Sequence, residues 1–477
     1  MRGWAVIYQT FSPIPVPRLN SAVQKKVTRN QYPVKILQFG SGDFLRGFAD
    51  WMVQVANEKA AFNAGISIVE GGPSELESND GSYTLVLRGI REEEFINQRY
   101  HVDVVRRTVN PYEDFQGFIA EAHNQDLQFI ISNASGRDSS FDPGDKLITS
   151  VASTFPGKLT QLLYSRFKAH IDNAILILPT GRHEHNGTLL KQEVLKYCTH
   201  WNLPSEFNIW VSMHISFCNT LVDREVAALS RKPNMKLSGI GELVLEGEWF
   251  HQWVIEGPRW IEEMLPLRKA GLNVIYTDNL EPYHLRRTRI LRAAAVCLGC
   301  LGTLAETQTI RDAIEHPFIG RYIKRMIYDD IIPIMPGDIH ELERYAEEVI
   351  DRLRNPAIGI SLDRLAVDTF ERFSSSLVMA LESHALRSAM IPDRLVFALA
   401  TFIAFFHPDQ KDRHEEQATI DRSWVKFQSN LPLLCVEVIS KAWSTGDWRK
   451  IPGLAEKTAG YLQLIRQSGV VEALKVL

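Results

Sequence analysis

The 477-residue sequence contains no apolar run long enough to cross a bilayer. Its best candidate, Leu395–Phe406 (LVFALATFIAFF), is about half the required length and is bracketed by Asp393 and His407, so it reads as a buried helix. Cysteine is scarce: five residues, at 198, 218, 297, 300 and 435. An odd, scattered set excludes a disulfide framework and fits reduced thiols in a cytoplasmic protein. Cys297 and Cys300 form a CxxC, but it lies in an Ala/Leu-rich helical run without a second pair, which reads as a packed helix face. Excess positive charge is also missing, with 53 Lys and Arg against 57 Asp and Glu. That argues against a nucleic-acid binder working through a general positive field. The first residues, MRGWAVIYQTFSPIPVPRLN, lack the apolar core and small-residue cleavage site of a signal peptide. Internal repeats and low-complexity tracts are absent.

What is present is an α/β pattern. Residues 1–30 read as a loosely attached leader. Val34–Phe39 (VKILQF) is a short buried strand running into Gly40-Ser41-Gly42, and Phe44–Lys59 then carries apolar residues at helical spacing. Another apolar strand, Ile66–Val69, ends at Glu70. Strand, glycine turn, helix, strand is the start of a doubly wound α/β domain. Further strands are expected at Leu85–Leu87, Leu127–Ser132 and Ala174–Leu178. Beyond about residue 280 long helical patterns take over, at His284–Leu301, Asp338–Leu353, Ser361–Leu381 and Leu395–Phe406. The expected division is a Rossmann-like domain over 31–280 and a mostly α-helical one over 281–477.

The glycine turn carries the first chemical signal. In Gly40-Ser41-Gly42-Asp43-Phe44-Leu-Arg46-Gly47 a side chain at a glycine would keep a pyrophosphate from the backbone. The following helix start offers free N–H groups and a partial positive charge. The third glycine is not at the usual GxGxxG spacing, so a plain glycine turn is the competing reading. Glu70, 28 residues after Gly42, can accept the two ribose hydroxyls of NAD and would repel the extra phosphate of NADP. No Arg or Lys lies between Glu70 and Ser82 to clamp that phosphate, so the expected cofactor is NAD.

YPVKILQFGSGDFLRGFADWM, FCNTLVDREV, WVIEGP, KAGLNVIYTDNLEPY and LRNPAI, in that order, resemble segments of the long-chain polyol and sugar-acid dehydrogenases (the mannitol dehydrogenase family), in its tagaturonate reductase branch. The resemblance runs almost the whole chain, and FCNTLVDR and AGLNVIYTDNLEPY are its most specific parts. It implies a Rossmann-like N-terminal domain, a helical C-terminal domain and a cleft between them. It implies hydride transfer between NAD and an alcohol or ketone of a linear sugar acid or polyol, without a metal. Cofactor contacts are then expected from Gly40, Ser41, Gly42, Asp43, Phe44, Arg46, Glu70, Ser132 and Asn133, and substrate contacts from His214, Asn219, Glu256 and Arg372.

The family's acid/base is a helical Lys, assisted by an Asn five positions on and a His eight positions on. In this sequence those places hold Arg287, Arg292 and Ala295. Other departures follow the same trend. Ser132-Asn133-Ala134-Ser135-Gly136-Arg137 lacks the loop's Glu, and so does Pro179-Thr180-Gly181-Arg182-His183. Ile360 stands in place of a His, and Arg372 in place of a Lys. Guanidinium stays protonated under working conditions, so Arg287 cannot be the base, though it can stabilise an alkoxide or grip a carboxylate. His284, one turn earlier on a similar face, is a candidate replacement, as a histidine titrates near neutrality. His183 and His185 border the same region and equally read as surface histidines. Asp223 and Arg224 read as an ion pair at the domain seam, while Asn186 and Asn273 read as turn caps. Three readings stay open: an active oxidoreductase with altered acid/base chemistry, its added arginines (Arg137, Arg182, Arg287, Arg292) suiting a more anionic ligand; a catalytically silent member that binds NAD or a sugar acid as a sensor or interaction protein; and a non-binding structural homologue.

Overall fold

The computed structural model describes residues 31–70, 81–147, 150–228, 243–357, 362, 369–387, 391–408, 417–443 and 448–477. The expected leader, residues 1–30, and Ile360 lie outside them. From Tyr32 to Leu477 the chain clusters as one unit.

Short β-rich runs buried on both sides pair in parallel, because helices cover both faces. β1 (Val34–Phe39) lies at the centre of six such strands, with β2 (Gly65–Val69), β5 (Val105–Val109), β6 (Phe129–Ser132), β7 (Ile175–Pro179) and β8 (Ile215–Phe217). Their order is β5-β2-β1-β6-β7-β8, all parallel. A second sheet joins β3 (Tyr83–Arg91), β4 (Glu94–Val102), β10 (Val226–Ala228) and β11 (Val244–Glu248) in the order β10-β11-β3-β4. A third holds β9 (Asn219–Asp223), β12 (Gln252–Glu256) and β13 (Val274–Thr277) in the order β13-β12-β9.

Ile36, Phe48, Met52 and Ile66 pack on one face of the parallel sheet, and Leu37, Leu159, Leu163 and Val194 on the other. The first set includes α1, which begins at Asp43–Leu45, widens into a π turn at Arg46–Asp50 and continues as Trp51–Ala60. The second includes α2 (Phe155–Lys168) and α3 (Asn186–His200). Because successive connections leave β1 and β6 toward opposite faces, the sheet has its switch point between these strands, where ligands of open α/β sheets bind.

Among the described residues the strands end at Thr277 and helices follow. α4 is built from Glu281–Arg286, a π turn at Arg287–Arg292, and Ala293–Leu304. α5 is Ile339–Leu353, and α6 runs Thr369–Phe373, a π turn at Ser374–Val378, then Met379–Arg387. α7 (Asp393–Phe405) is buried from Leu395 to Phe405 and forms part of the helical core with α4. At 13 residues it spans about 20 Å, too short for a bilayer, and no described helix is long and apolar enough to cross a membrane. Cys297 and Cys300 are packed in this core.

Candidate active site

Gly40 ends β1 at φ +110°, a conformation that suits glycine, while its N–H donates to Val69 O at 3.0 Å. Gly42, at φ −65°, stands at the N-cap of α1, where glycine has no side chain to cap the helix. A Cβ built on Gly42 would meet nothing within 4 Å among the described residues. No internal packing therefore demands glycine there, which fits a loop left open for a ligand's approach. Gly47 serves packing instead, since a Cβ there would come 2.5 Å from Val226 Cγ1. Ser41 and Asp43 flank this cradle half-buried, and Phe44 stacks on Phe48 at 5.1 Å. Glu70 sits buried at the carboxyl end of β2. Across the switch point the Ser132 carbonyl accepts from the N–H and hydroxyl of Thr180 at 2.7 and 2.9 Å, fastening the loops after β6 and β7, while Asn133 is exposed beside it.

Arg46 is a correction to the expected cofactor contacts. Its side chain is only 2% exposed, packed beneath the glycine turn with Asp50 as its neighbouring charge. The Tyr83 hydroxyl reaches the Arg46 carbonyl at 2.8 Å and Asp50 Oδ2 at 3.2 Å. Burial pushes the Asp50 carboxyl up to about 7, against the pull of Arg46 and of hydrogen bonds from Tyr83 and Gln38. The sequence pattern held one signal of this buried cluster that the motifs above did not use, Asp50 and Arg46 standing four apart in an otherwise apolar stretch of helix.

Two of the expected substrate contacts satisfy each other. Asn219 Nδ2 donates to Glu256 Oε2 at 2.7 Å, and Asn219 Oδ1 accepts from Thr188 N at 2.9 Å. Glu256 Oε1 accepts from Leu280 N at 3.3 Å, just before α4. The pair thus ties β9 and β12 to the start of α4. Asn186 is likewise a buried bracket: its Nδ2 lies 3.0–3.1 Å from the carbonyls of Pro179, Gly181 and Thr220, and its Oδ1 accepts from Thr220 N. Together they fix the 179–186 loop against α4.

At the seam between strands and helices, Arg352 on α5 holds two buried carboxylates. It donates to Asp223 at 2.9 and 3.1 Å and to Glu248 at 2.8 and 2.9 Å, with its plane over Phe250. Burial alone would raise Asp223, but Arg352, Arg287 and Arg286 outweigh it and hold the carboxyl below its ordinary range. Glu248, equally buried, stays raised despite Arg352. The expected Asp223–Arg224 ion pair does not form. Arg224 turns the other way, donates to the carbonyls of Gly47, Phe250 and Trp249, and stacks on Trp51 at 4.1 Å. Arg352 escaped the sequence reading, although its spacing from Tyr345 and Val349 sets it on the buried stripe of α5.

α4 brings the altered positions together. Arg287 Nε stands 3.7 Å from Asp223 Oδ2, its side chain about one-third exposed. Arg292 Nη1 donates to Ser375 Oγ at 3.2 Å on the π turn of α6. Burial, then the charges of Arg287 and Arg372, lower the Arg292 pKa, while Glu371 and Glu184 oppose them. Ala295 packs partly buried against the helical core. His284 is half-buried, and its Nε2 is shielded from solvent with no hydrogen-bond partner among the described residues. Burial lowers its pKa, with Arg287 and His185 acting in the same sense and Glu184 and Glu281 against. None of the charges acting most strongly on His284 or Arg292 is a lysine.

His214 falls away from this cluster, and its expected role as a substrate contact is corrected. It precedes β8 at the amino edge of the parallel sheet, 4.0 Å from Asp172, whereas the glycine turn and the 179–186 loop lie at the carboxyl edge. Arg137 and Arg182 are exposed on loops. Among the described residues no group of three or more His, Cys, Asp or Glu is arranged to hold a metal.

Residues 34–269 match the mannitol dehydrogenase Rossmann domain, and residues 279–440 the mannitol dehydrogenase C-terminal domain. The altronate oxidoreductase of Bacillus subtilis is 33% identical over 480 residues, covering 96% of this chain and 98% of its own. That of Bacteroides thetaiotaomicron is 31% identical over 96% of this chain and 99% of its own. Among solved structures, a substrate-free D-sorbitol dehydrogenase superposes with a TM-score of 0.77 at 21% identity, over 93% of this chain and 95% of that one. The Pseudomonas fluorescens mannitol 2-dehydrogenase ternary complex with NAD and D-mannitol gives 0.66 at 17% identity, over 94% of each. With both of its domains matched and relatives aligned from end to end, the chain belongs to the mannitol dehydrogenase family.

Proposed function

We propose that this chain is an NAD-linked oxidoreductase of a linear sugar acid, in which His284 exchanges the proton that the family assigns to a lysine. The observation that carries the reading is the position of His284. It is a half-buried imidazole whose Nε2 has no partner among the described residues, one turn before Arg287 on the helix facing the 179–186 loop. Gly40, Ser41, Gly42 and the N-terminus of α1 would hold the cofactor's phosphates, and Glu70 its ribose hydroxyls. NAD, when bound, supplies the hydride acceptor. In alcohol oxidation the neutral imidazole takes the hydroxyl proton as the carbon-bound hydrogen leaves as hydride, and Arg287 stabilises the negative charge developing on oxygen. The names of the relatives, altronate oxidoreductases, support a sugar acid as substrate.

A second reading rests on Arg287. A permanent cation beside Asp223 occupies the place of the proton-exchanging amine, as in a silent member that keeps only ligand binding. An assay following NADH at ~340 nm against a panel of keto sugar acids, beside calorimetric titration with NADH and with the same acids, separates the two. Turnover that His284→Asn abolishes supports the first reading. NADH binding without turnover, with activity created by combining Arg287→Lys, Arg292→Asn and Ala295→His, supports the second. Absence of NADH binding overturns the first reading, and absence of both NADH and sugar-acid binding overturns the second.

A further inference from the structure

The cations on one face of α4 are arranged for more than one anionic oxygen. The π turn of α4 replaces i→i+4 by i→i+5 hydrogen bonding over Arg287–Arg292, which brings residues five apart to one side of the helix. Arg287 and Arg292 therefore share a face, with His284 one turn before them. A second π turn, Ser374–Val378, meets this face through Ser375, and Arg372 adds a third guanidinium among the charges acting on Arg292. The acids nearby do not use up the forks of Arg287 and Arg292. Asp223 is gripped on both oxygens by Arg352 and stands beyond hydrogen-bond distance from Arg287. Glu184 and Glu371 are exposed to solvent. Among the described residues Arg292 makes a single hydrogen bond, to a neutral hydroxyl.

We propose that the site takes a sugar acid whose carboxylate is bonded directly to the reacting carbon, a 2-oxo or 2-hydroxy acid, with Arg287 and Arg292 as the specificity-determining carboxylate clamp. The inference rests on the proposed oxidoreductase reading and deepens it. Planar forks hold a carboxylate through two parallel hydrogen bonds. When those forks sit within one or two turns of the proton-exchanging imidazole, the carboxylate they hold lies beside the atom that gains or loses the proton. In the reducing direction, hydride from NADH adds to C2 and the C2 oxygen takes a proton from the His284 imidazolium. A 2-oxo acid, NADH and a proton thus become a 2-hydroxy acid and NAD.

Two isomeric probes test this, 2-keto-D-gluconate and 5-keto-D-gluconate, which have equal charge and composition and differ only in the distance between ketone and carboxylate. Each is titrated calorimetrically into the full chain with NADH, and each is assayed for NADH oxidation near pH ~6, where the imidazolium is better populated. The 2-keto isomer is expected to bind at least about tenfold more tightly. Arg292→Gln should erase most of that preference, and Arg292→Lys should restore only part of it. Equal binding, a preference for the 5-keto isomer, or a preference that survives Arg292→Gln and Arg287→Gln with folding intact overturns the clamp. Selective binding of the 2-keto isomer without NADH oxidation leaves the clamp standing and overturns the oxidoreductase reading alone.

Discussion

Arg287 Nε stands 3.7 Å from Asp223 Oδ2, and that carboxylate is already held on both oxygens by Arg352 from α5. The two guanidinium groups are unequal partners. Arg352 is buried and shared with the equally buried Glu248, whereas Arg287 is one-third exposed and outside hydrogen-bond range. Arg352→Met would strip buried Glu248 of its guanidinium and leave Asp223 to Arg287 at 3.7 Å, and should cost roughly 3–5 kcal/mol. Arg287→Met should cost no more than about 1 kcal/mol. Denaturant titration of the two variants checks the contrast, and equal losses would show that Arg352 is not the pin at this seam.

Gly42 separates a ligand cradle from an ordinary turn. Its φ of −65° is open to any residue, and a Cβ there touches nothing within 4 Å among the described residues. Gly42→Ala should therefore leave the melting temperature nearly unchanged while weakening NADH binding by at least about tenfold, because the methyl group occupies the approach to the helix N-terminus. Gly47→Ala should do the reverse. Its Cβ would press on Val226, so stability falls by roughly 1–3 kcal/mol. Should Gly42→Ala bind NADH like the parent, the dinucleotide does not lie on this turn.

The pH dependence of turnover reports on His284. Burial, assisted by Arg287 and His185, lowers its pKa below the ordinary 6.5, so the imidazole is neutral at pH ~7 and acts as a base in alcohol oxidation. The acidic limb of kcat/KM for oxidation should accordingly fall below pH 6.5 and vanish in His284→Asn. Glu184→Gln removes the largest opposing charge and should move the limb further down. An unchanged limb in His284→Asn would assign the proton to another group.

Long periodic elements were legible in the sequence because one physical signal specifies each. β1 (VKILQF) and β2 (GISIV) are mostly apolar runs, and α7 is buried from Leu395 to Phe405, as its composition implies. The β3–β4 hairpin was only half legible. Its turn places Glu92 and Glu93 at φ 53° and 66°, where Asn and Gly are the usual signals, and Glu93 is met by Arg354 from the end of α5. Within the site, the glycine turn announced itself through residue type. The reach of His214 and Arg46 did not, because sequence position says nothing about which edge of a sheet a loop occupies or whether an arginine points inward. The π turn that aligns Arg287 with Arg292 is a backbone event without a residue signature.

Asp50 offers a test of the buried cluster beneath the glycine turn. Burial raises its carboxyl from 3.8 to about 7 in the folded protein. A group whose folded pKa is raised adds stability at pH values below its unfolded pKa, and that contribution is lost as pH climbs through the folded value. Between pH 3.8 and about 7 the parent protein should thus lose stability relative to a variant that cannot ionise there. At about 1.4 kcal/mol for each tenfold difference in proton affinity, the full span is on the order of 4 kcal/mol, an upper bound. Asp50→Asn keeps the shape and cannot lose a proton, so it behaves like the protonated carboxyl. The stability of Asp50→Asn minus that of the parent should therefore grow as pH rises from ~5 to ~8, read by urea titration at each pH. If the difference stays flat, or shrinks, Arg46 already compensates an Asp50 that is charged throughout the range.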